Sequence, residues 1–164
     1  MVLMKVMSYN VRGLGGGEKR VEMRRLVQEK ISMVLCIQES KLSVVSNGLI
    51  KMVWGDALCG YLFQPSAGAS GGPITVWDVS RVDVSSSMSF GHVLVIKGKV
   101  ISTSEEFVIV NVYAPCDLDA KKVLWERMSS LVLDNMNLCL CVCGDFNSVR
   151  NVEERKGRGE FSDN

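Results

Sequence analysis

Short apolar runs, broken by glycines or polar clusters, set the pattern of this chain. Residues 2–9 are mostly apolar before Tyr9 and Asn10 and predict a strand leading into a turn. The turn, Arg12-Gly-Leu-Gly-Gly-Gly17, has the glycines that a sharp reversal tolerates. Over residues 18–31, Met23, Leu26, Val27 and Ile31 recur at helical spacing and predict a helix with one apolar face. Residues 33–38 form a compact apolar run that fits a buried strand. The middle predicts strands over 60–63, 74–77, 82–86, 92–96 and 107–113, segments rich in β-branched and aromatic residues. Val82 and Val84 fall on one side of theirs, Asp83 and Ser85 on the other, and Pro115 ends the last of the series. A second helix is predicted over 117–135, with Asp117 or Asp119 as its N-cap and Leu124, Met128, Leu131 and Val132 as its stripe. Residues 138–143 are apolar throughout, as expected of a strand buried on both faces. From Gly144 the chain turns polar, and residues 150–164 carry no helix or strand pattern.

Many strands with two predicted helices imply an α/β layered domain in which sheets pack on each other as well as under helices. The 164 residues suit one domain, and 47% hydrophobic with 23% charged residues supports a core rather than disorder. A net charge of +1 gives no bulk attraction to nucleic acid, so any such contact must be local. No apolar run approaches the roughly 18 residues of a bilayer span, and the start lacks the pattern of a signal peptide. A soluble intracellular protein is the expectation. Cys139, Cys141 and Cys143 alternate, so they would share one face of a strand; their spacing is closer than zinc sites use, and packing is the favoured reading. The singly placed Trp77 and Trp125 are expected in the core.

Candidate chemistry gathers where strands end. Asn10 follows the first strand, Gln38-Glu39 the second, and Asp145-Phe-Asn147 the cysteine-rich one. In α/β folds such ends meet at one edge, where ligands bind. Carboxylates after nearly continuous apolar runs need a partner or a metal. Hard oxygen donors of this kind suit Mg²⁺, which takes one or two carboxylates along with water and phosphate oxygens. Taken singly, each residue has an ordinary reading as a surface acid, an Asx turn or a helix cap. The joint pattern favours a site.

Four ordered motifs strengthen it: Ser8-Tyr9-Asn10-Val11-Arg12-Gly13, Ile37-Gln38-Glu39-Ser40-Lys41, Asn111-Val112-Tyr113-Ala114-Pro115 and Gly144-Asp145-Phe146-Asn147. In order and spacing they resemble the endonuclease/exonuclease/phosphatase superfamily, across essentially the whole chain. Ala67-Gly-Ala-Ser-Gly-Gly72, Val76-Trp77-Asp78, Ala114-Pro115-Cys116-Asp117, Val149-Arg150 and Glu154-Arg155-Lys156-Gly157 are similar to the endonuclease domain of plant LINE-type non-LTR retrotransposons. The resemblance implies a four-layer α-β-β-α sandwich of the deoxyribonuclease I-like type and a DNA phosphodiesterase using Mg²⁺ or Mn²⁺. It implies that Glu39 holds the metal and that Asn10 supports metal and phosphate. Tyr113 would lie by the scissile phosphate, Asp145 would orient or deprotonate the attacking water, and Asn147 would stabilise developing charge. Arg12, Ser70 and Arg150, with Arg155, Lys156 and Arg158, are candidate contacts to the DNA backbone, though a turn at Ser70 and solvated basic loops fit equally well. DNA is the implied partner, with a reverse transcriptase in the same polyprotein, a nuclear location and a monomeric state. A phosphatase or phospholipid phosphodiesterase and an inert remnant stay open as alternatives.

The resemblance departs in one place. The superfamily's C-terminal Ser-Asp-His is absent from this sequence, whose single histidine, His92, lies in the run Gly91-His-Val-Leu-Val-Ile96 and is expected to be structural. The domain is therefore expected to lack its C-terminal part, to expose a strand edge and to be poorly stable alone. Pro73 also departs, but a proline just before a strand is tolerated.

Overall fold

The computed structural model describes residues 4–67 and 70–148. The first strand, β1 (Val6–Asn10), leads through the glycine turn into α1 (Gly17–Lys30) and β2 (Val34–Gln38). Helix α2 (Asn47–Trp54) follows, then β3 (Cys59–Phe63), a short ribbon of β4 (Ser66–Ala67) and β5 (Ser70–Gly71), and β6 (Ile74–Asp78). Strands β7 (Val82–Phe90), β8 (Val93–Val100) and β9 (Glu106–Tyr113) form a meander. Helix α3 (Leu118–Asp134) then returns the chain to β10 (Cys139–Asp145).

Two four-stranded sheets result, in the orders β1-β2-β6-β3 and β10-β9-β8-β7. β1 runs parallel to β2, and β10 parallel to β9. Both parallel pairs are joined through a helix, the crossover that parallel strands require. Three apolar clusters give the layers. Met23 and Val27 of α1, with Ile50, Val53 and Trp54 of α2, pack on Leu35, Ile37, Ile74 and Val76 of the first sheet. Val34 and Cys36 meet Val82, Ile96, Phe107 and Ile109 between the sheets. Leu124 and Met128 of α3 cover Val93, Val95, Val108 and Val110 on the far side. The layers run helix, sheet, sheet, helix.

The sequence pattern did not predict α2. Its signal is compact: Ser46 accepts a hydrogen bond from the Leu49 N–H at 3.2 Å, and buried Ile50, Val53 and Trp54 recur at helical spacing. Loss of an N-cap hydroxyl costs about 1 kcal/mol, so Ser46→Ala is expected to lower the thermal midpoint by about 2–4 °C, measured by circular dichroism. A change of the opposite sign would remove the cap from the account of this helix.

Five expectations about burial need correction. Residues 138–143 were expected to be covered on both faces, yet every residue of β10 is at least partly exposed, because β10 is the outer strand of its sheet among the described residues. Trp125 is not a core residue: it is 37% exposed and lies against the Phe146 ring, 5.9 Å between centroids. It sits one position off the Leu124/Met128 stripe; Val132 continues that stripe four residues on but is exposed. Ile31 is also exposed, because it takes the left-handed cap conformation (φ 53°) that ends α1. Trp77 is only partly buried; its ring lies over Gly60, where any Cβ would come within 2.4 Å of it.

The cysteines divide. Cys139 is exposed, while Cys141 and Cys143 pack with Cys36 in the layer between the sheets. A hydrogen bond from Cys143, together with burial, raises the Cys141 thiol pKa. Cys143 is pulled down by its Cys141 contact but pushed by Cys36 and burial up to about 12. These thiols stay protonated at neutral pH and act as small packing groups.

Candidate functional site

Parallel pairing sets the geometry of the site. In the first sheet Asn10 stands opposite Gln38, so Asn10 and Glu39 leave neighbouring strands at the same end. In the second, Tyr113 stands opposite Asp145. The two sheets face each other with these ends together: the Asn10 Nδ2 donates to Asp145 Oδ2 at 2.5 Å, joining residues 135 positions apart.

Asp145 is held on both oxygens. Oδ1 accepts the Asn147 N–H at 2.9 Å, the local turn that an aspartate two residues upstream favours. Asn147, at φ 45°, sends its Nδ2 to the Ala114 carbonyl at 2.6 Å. The Lys121 ammonium of α3 reaches both the Asn147 carbonyl and, at 3.0 Å, the Ser148 hydroxyl. Asn10 has its Oδ1 engaged by the Arg12 N–H at 3.1 Å.

Glu39 sits at φ 55° immediately after β2, with a side chain only 19% exposed. Its backbone is fixed by the turn after β1, since the Gly13 N–H donates to the Glu39 carbonyl at 2.7 Å. The Gly71 and Gly72 carbonyls receive the N–H groups of Lys41 and Ser40 from the other side. The Lys41 ammonium lies 3.1 Å from the Glu39 carboxylate.

Tyr113 lies among these groups. Burial raises its phenol pKa above the ordinary value; the Glu39 carboxylate, then Asp145 and the Cys116 thiol, raise it further, while the Asn147 amide pulls it down. Both carboxylates therefore act on one phenol, which stays protonated at neutral pH and can donate a hydrogen bond. Beneath the site a buried amide network ties the sheets. Gln38 Nε2 donates to Asn111 Oδ1 at 2.8 Å and to Ser8 Oγ at 3.1 Å. Asn111 Nδ2 donates to the Ile37 and Ile74 carbonyls at 3.2 and 3.0 Å. Gln38 and Asn111 are 1% and 0% exposed, so each bond forms where an unpaired amide would cost about 1–3 kcal/mol.

The structure thus brings together Asn10, Glu39, Tyr113, Asp145 and Asn147. Arg12 lies beside them, exposed, at the rim of a cavity of about 240 Å³ shared with Asn10, Lys19 and Glu22. Ser70 contributes backbone to β5; its side chain, and Arg150, Arg155, Lys156 and Arg158, lie outside the described residues. Sequence reasoning gave no site role to Lys41, Lys121, Asn111 or His92, although it expected His92 to be structural. Asn111 had a signal, as an amide inside an otherwise apolar run. Lys41 lay in the Ile37-Gln38-Glu39-Ser40-Lys41 motif without a role of its own, while Lys121 and His92 come from separate elements.

The donors fit a hard cation held loosely. Glu39 offers a carboxylate now neutralised by a cation at 3.1 Å, and Asn10 an amide oxygen. Among the described residues no group of three or more His, Cys, Asp or Glu side chains is arranged to hold a metal ion. A site of one carboxylate, water and substrate oxygens is what Mg²⁺ accepts.

No protein-family model matches the chain. Solved structures do. The human Nocturnin catalytic domain is 15% identical with a TM-score of 0.61, over 88% of this chain and 64% of that one. A mannosyl-6-phosphatase from Bacteroides thetaiotaomicron is 17% identical with a TM-score of 0.66, over 88% and 66%. An AP endonuclease from Leishmania major is 18% identical with a TM-score of 0.64, over 95% and 59%. The chain therefore spans about three fifths to two thirds of the length of these proteins. At such identities the likeness concerns architecture, and on that ground the chain has the deoxyribonuclease I-like α-β-β-α fold.

Proposed function

We propose that the chain is the site-bearing part of a metal-dependent phosphodiesterase that hydrolyses DNA backbone, of the retrotransposon endonuclease type. The observation that carries the reading is the convergence of Glu39, Asp145 and Asn147 on the protonated Tyr113 phenol, at the adjoining ends of strands from both sheets. The two carboxylates favour a cation such as Mg²⁺ or Mn²⁺, and the neutral phenol can donate a hydrogen bond to a phosphate oxygen beside it.

In this reading Glu39 holds the metal, with the Asn10 carbonyl oxygen beside it. When bound, the metal supplies positive charge to the phosphate oxygens and acidifies water. The chain's own groups do the rest. Asp145, oriented by Asn10 and Asn147, takes a proton from the attacking water. Tyr113 donates to a non-bridging oxygen, and Asn147 has a second N–H for the same charge. Arg12 meets the neighbouring backbone phosphate. DNA as substrate draws on the likeness to the Leishmania major AP endonuclease and on the sequence resemblance. The mannosyl-6-phosphatase neighbour supports a second reading, a phosphomonoesterase using the same site. Partnership with a reverse transcriptase and a nuclear location follow from the first reading alone. No helix among the described residues is long and apolar enough to cross a membrane.

The test is conversion of supercoiled plasmid to open circles by the purified chain, with Mg²⁺ or Mn²⁺ and with chelator. Metal-dependent nicking supports the first reading. Release of phosphate from sugar phosphates without nicking supports the second, and DNA binding without turnover in either metal identifies a remnant. Nicking is expected to weaken on the alkaline side only above about pH 10, where a phenol raised from its ordinary value begins to ionise. Tyr113→Phe should lower kcat about 10²- to 10³-fold and remove that alkaline limb. An unchanged limb would remove the phenol from the mechanism.

A further inference from the structure

We infer that His92 is a positioning residue for Tyr113, fixing the phenol against the loop that carries Glu39. The inference rests on the phosphodiesterase reading of that site. His92 precedes β8, and its carbonyl accepts the Tyr113 N–H at 2.9 Å. Its ring meets the Tyr113 ring edge to face, with centroids 6.1 Å apart and planes at 87°. That arrangement suits two aromatic quadrupoles and resists rotation of either ring.

The Nδ1–Cε1 edge of the imidazole faces β5. Gly71 lies against it, so that a Cβ there would fall 3.4 Å from Nδ1 and 3.6 Å from Cε1. Gly71 adopts φ +85° and its carbonyl holds the Lys41 N–H at 3.2 Å. Lys41 in turn pairs with Glu39. The imidazole therefore stands between two elements that share no strand pairing: the β5 backbone bracing the Glu39 loop, and the end of β9 bearing Tyr113. Filling that gap sets the distance from phenol to carboxylate. Nδ1 is buried and lacks a hydrogen-bond partner among the described residues, so it is the ring's shape, more than its polarity, that the site uses.

His92→Ala opens the gap, and His92→Phe keeps an aromatic edge without the nitrogens. Misplacement of a reacting group by about 1 Å costs up to about a hundredfold. His92→Ala is expected to lower kcat for nicking about tenfold to a hundredfold with KM changed less than about threefold, and His92→Phe to restore most of it. A second readout does not need turnover. The chain has three tyrosines, and labelling them with ¹³C at the phenol carbon, with Tyr113→Phe for assignment, isolates Tyr113. His92→Ala should shift the Tyr113 resonance and leave those of Tyr9 and Tyr61 in place, while His92→Phe leaves Tyr113 close to the parent. An unmoved Tyr113 resonance in His92→Ala overturns the inference, as does equal loss of kcat in both variants. If the parent nicks nothing, the proposed function fails, and the resonance alone decides the role of His92.

Discussion

Asp145→Ala is expected to reduce metal-dependent nicking by about 10²- to 10⁴-fold in kcat, the range for loss of a positioned general base. The carboxylate accepts one hydrogen bond on each oxygen, from Asn10 and from Asn147, and no other described carboxylate is held in this way at the junction of the sheets. Glu39→Ala is expected to be comparably damaging, but for a different reason, and the two can be separated. Glu39 is assigned to holding the metal, so its loss weakens metal binding, and raising Mn²⁺ should recover part of the activity. Asp145 is assigned to the water, and added metal should not help its alanine variant. Nicking at the parental rate by either variant sinks the assignment of that residue. Recovery of Asp145→Ala by metal would exchange the two roles. Far-ultraviolet circular dichroism of each variant shows whether the sheets survive the change.

The largest effect on stability is expected at Gly144, one residue before that carboxylate. Gly144 pairs with Val112 across β10 and β9 and has φ +141°. A Cβ on it would lie 1.9 Å from the Val112 carbonyl oxygen and 2.7–2.8 Å from the Val112 carbonyl carbon and nitrogen. All are backbone atoms of the central β9, which cannot turn aside as a flexible side chain can. Positive φ alone costs an L-residue about 1–3 kcal/mol, and the collision adds to it. Gly144→Ala is expected to destabilise by about 4 kcal/mol or more, among the large single-residue effects. At about 2–4 °C per kcal/mol the thermal midpoint should fall by about 8–16 °C. Gly16→Ala is the control, since a Cβ there meets nothing within 4 Å. Equal midpoints for the two variants would show that β10 does not pack on β9 at this spacing.

Local pattern carried much of the fold. The helical recurrence of Met23 and Val27 became the buried face of α1, and Asp117 caps α3 through the Ala120 N–H at 2.8 Å. Strands were legible where apolar or alternating runs were bounded by glycine, proline or acids, because those breaks have direct backbone causes. Helix α2 was not legible: its eight residues are too few for a strong period, and its stability comes from Trp54, Val53 and Ile50 pressing on the first sheet. Full burial of β10 was inferred from composition alone. Composition reports the affinity of a segment for apolar neighbours and not how many neighbours the topology gives it.

The sequence by itself determined which polar residues stand at or just after the strand ends, Asn10, Glu39, Tyr113, Asp145 and Asn147, because the apolar runs give way to polar groups there. Only the tertiary structure decided that the two sheets face each other with those ends together, so that Asn10 reaches Asp145 across 135 positions. It alone decided that Lys41 pairs with Glu39, that Asn111 and Gln38 bond beneath the site, and that His92 lies against Tyr113. Strand endings follow from local hydrophobic pattern, whereas contacts between elements depend on pairing order and register, which a linear pattern does not encode.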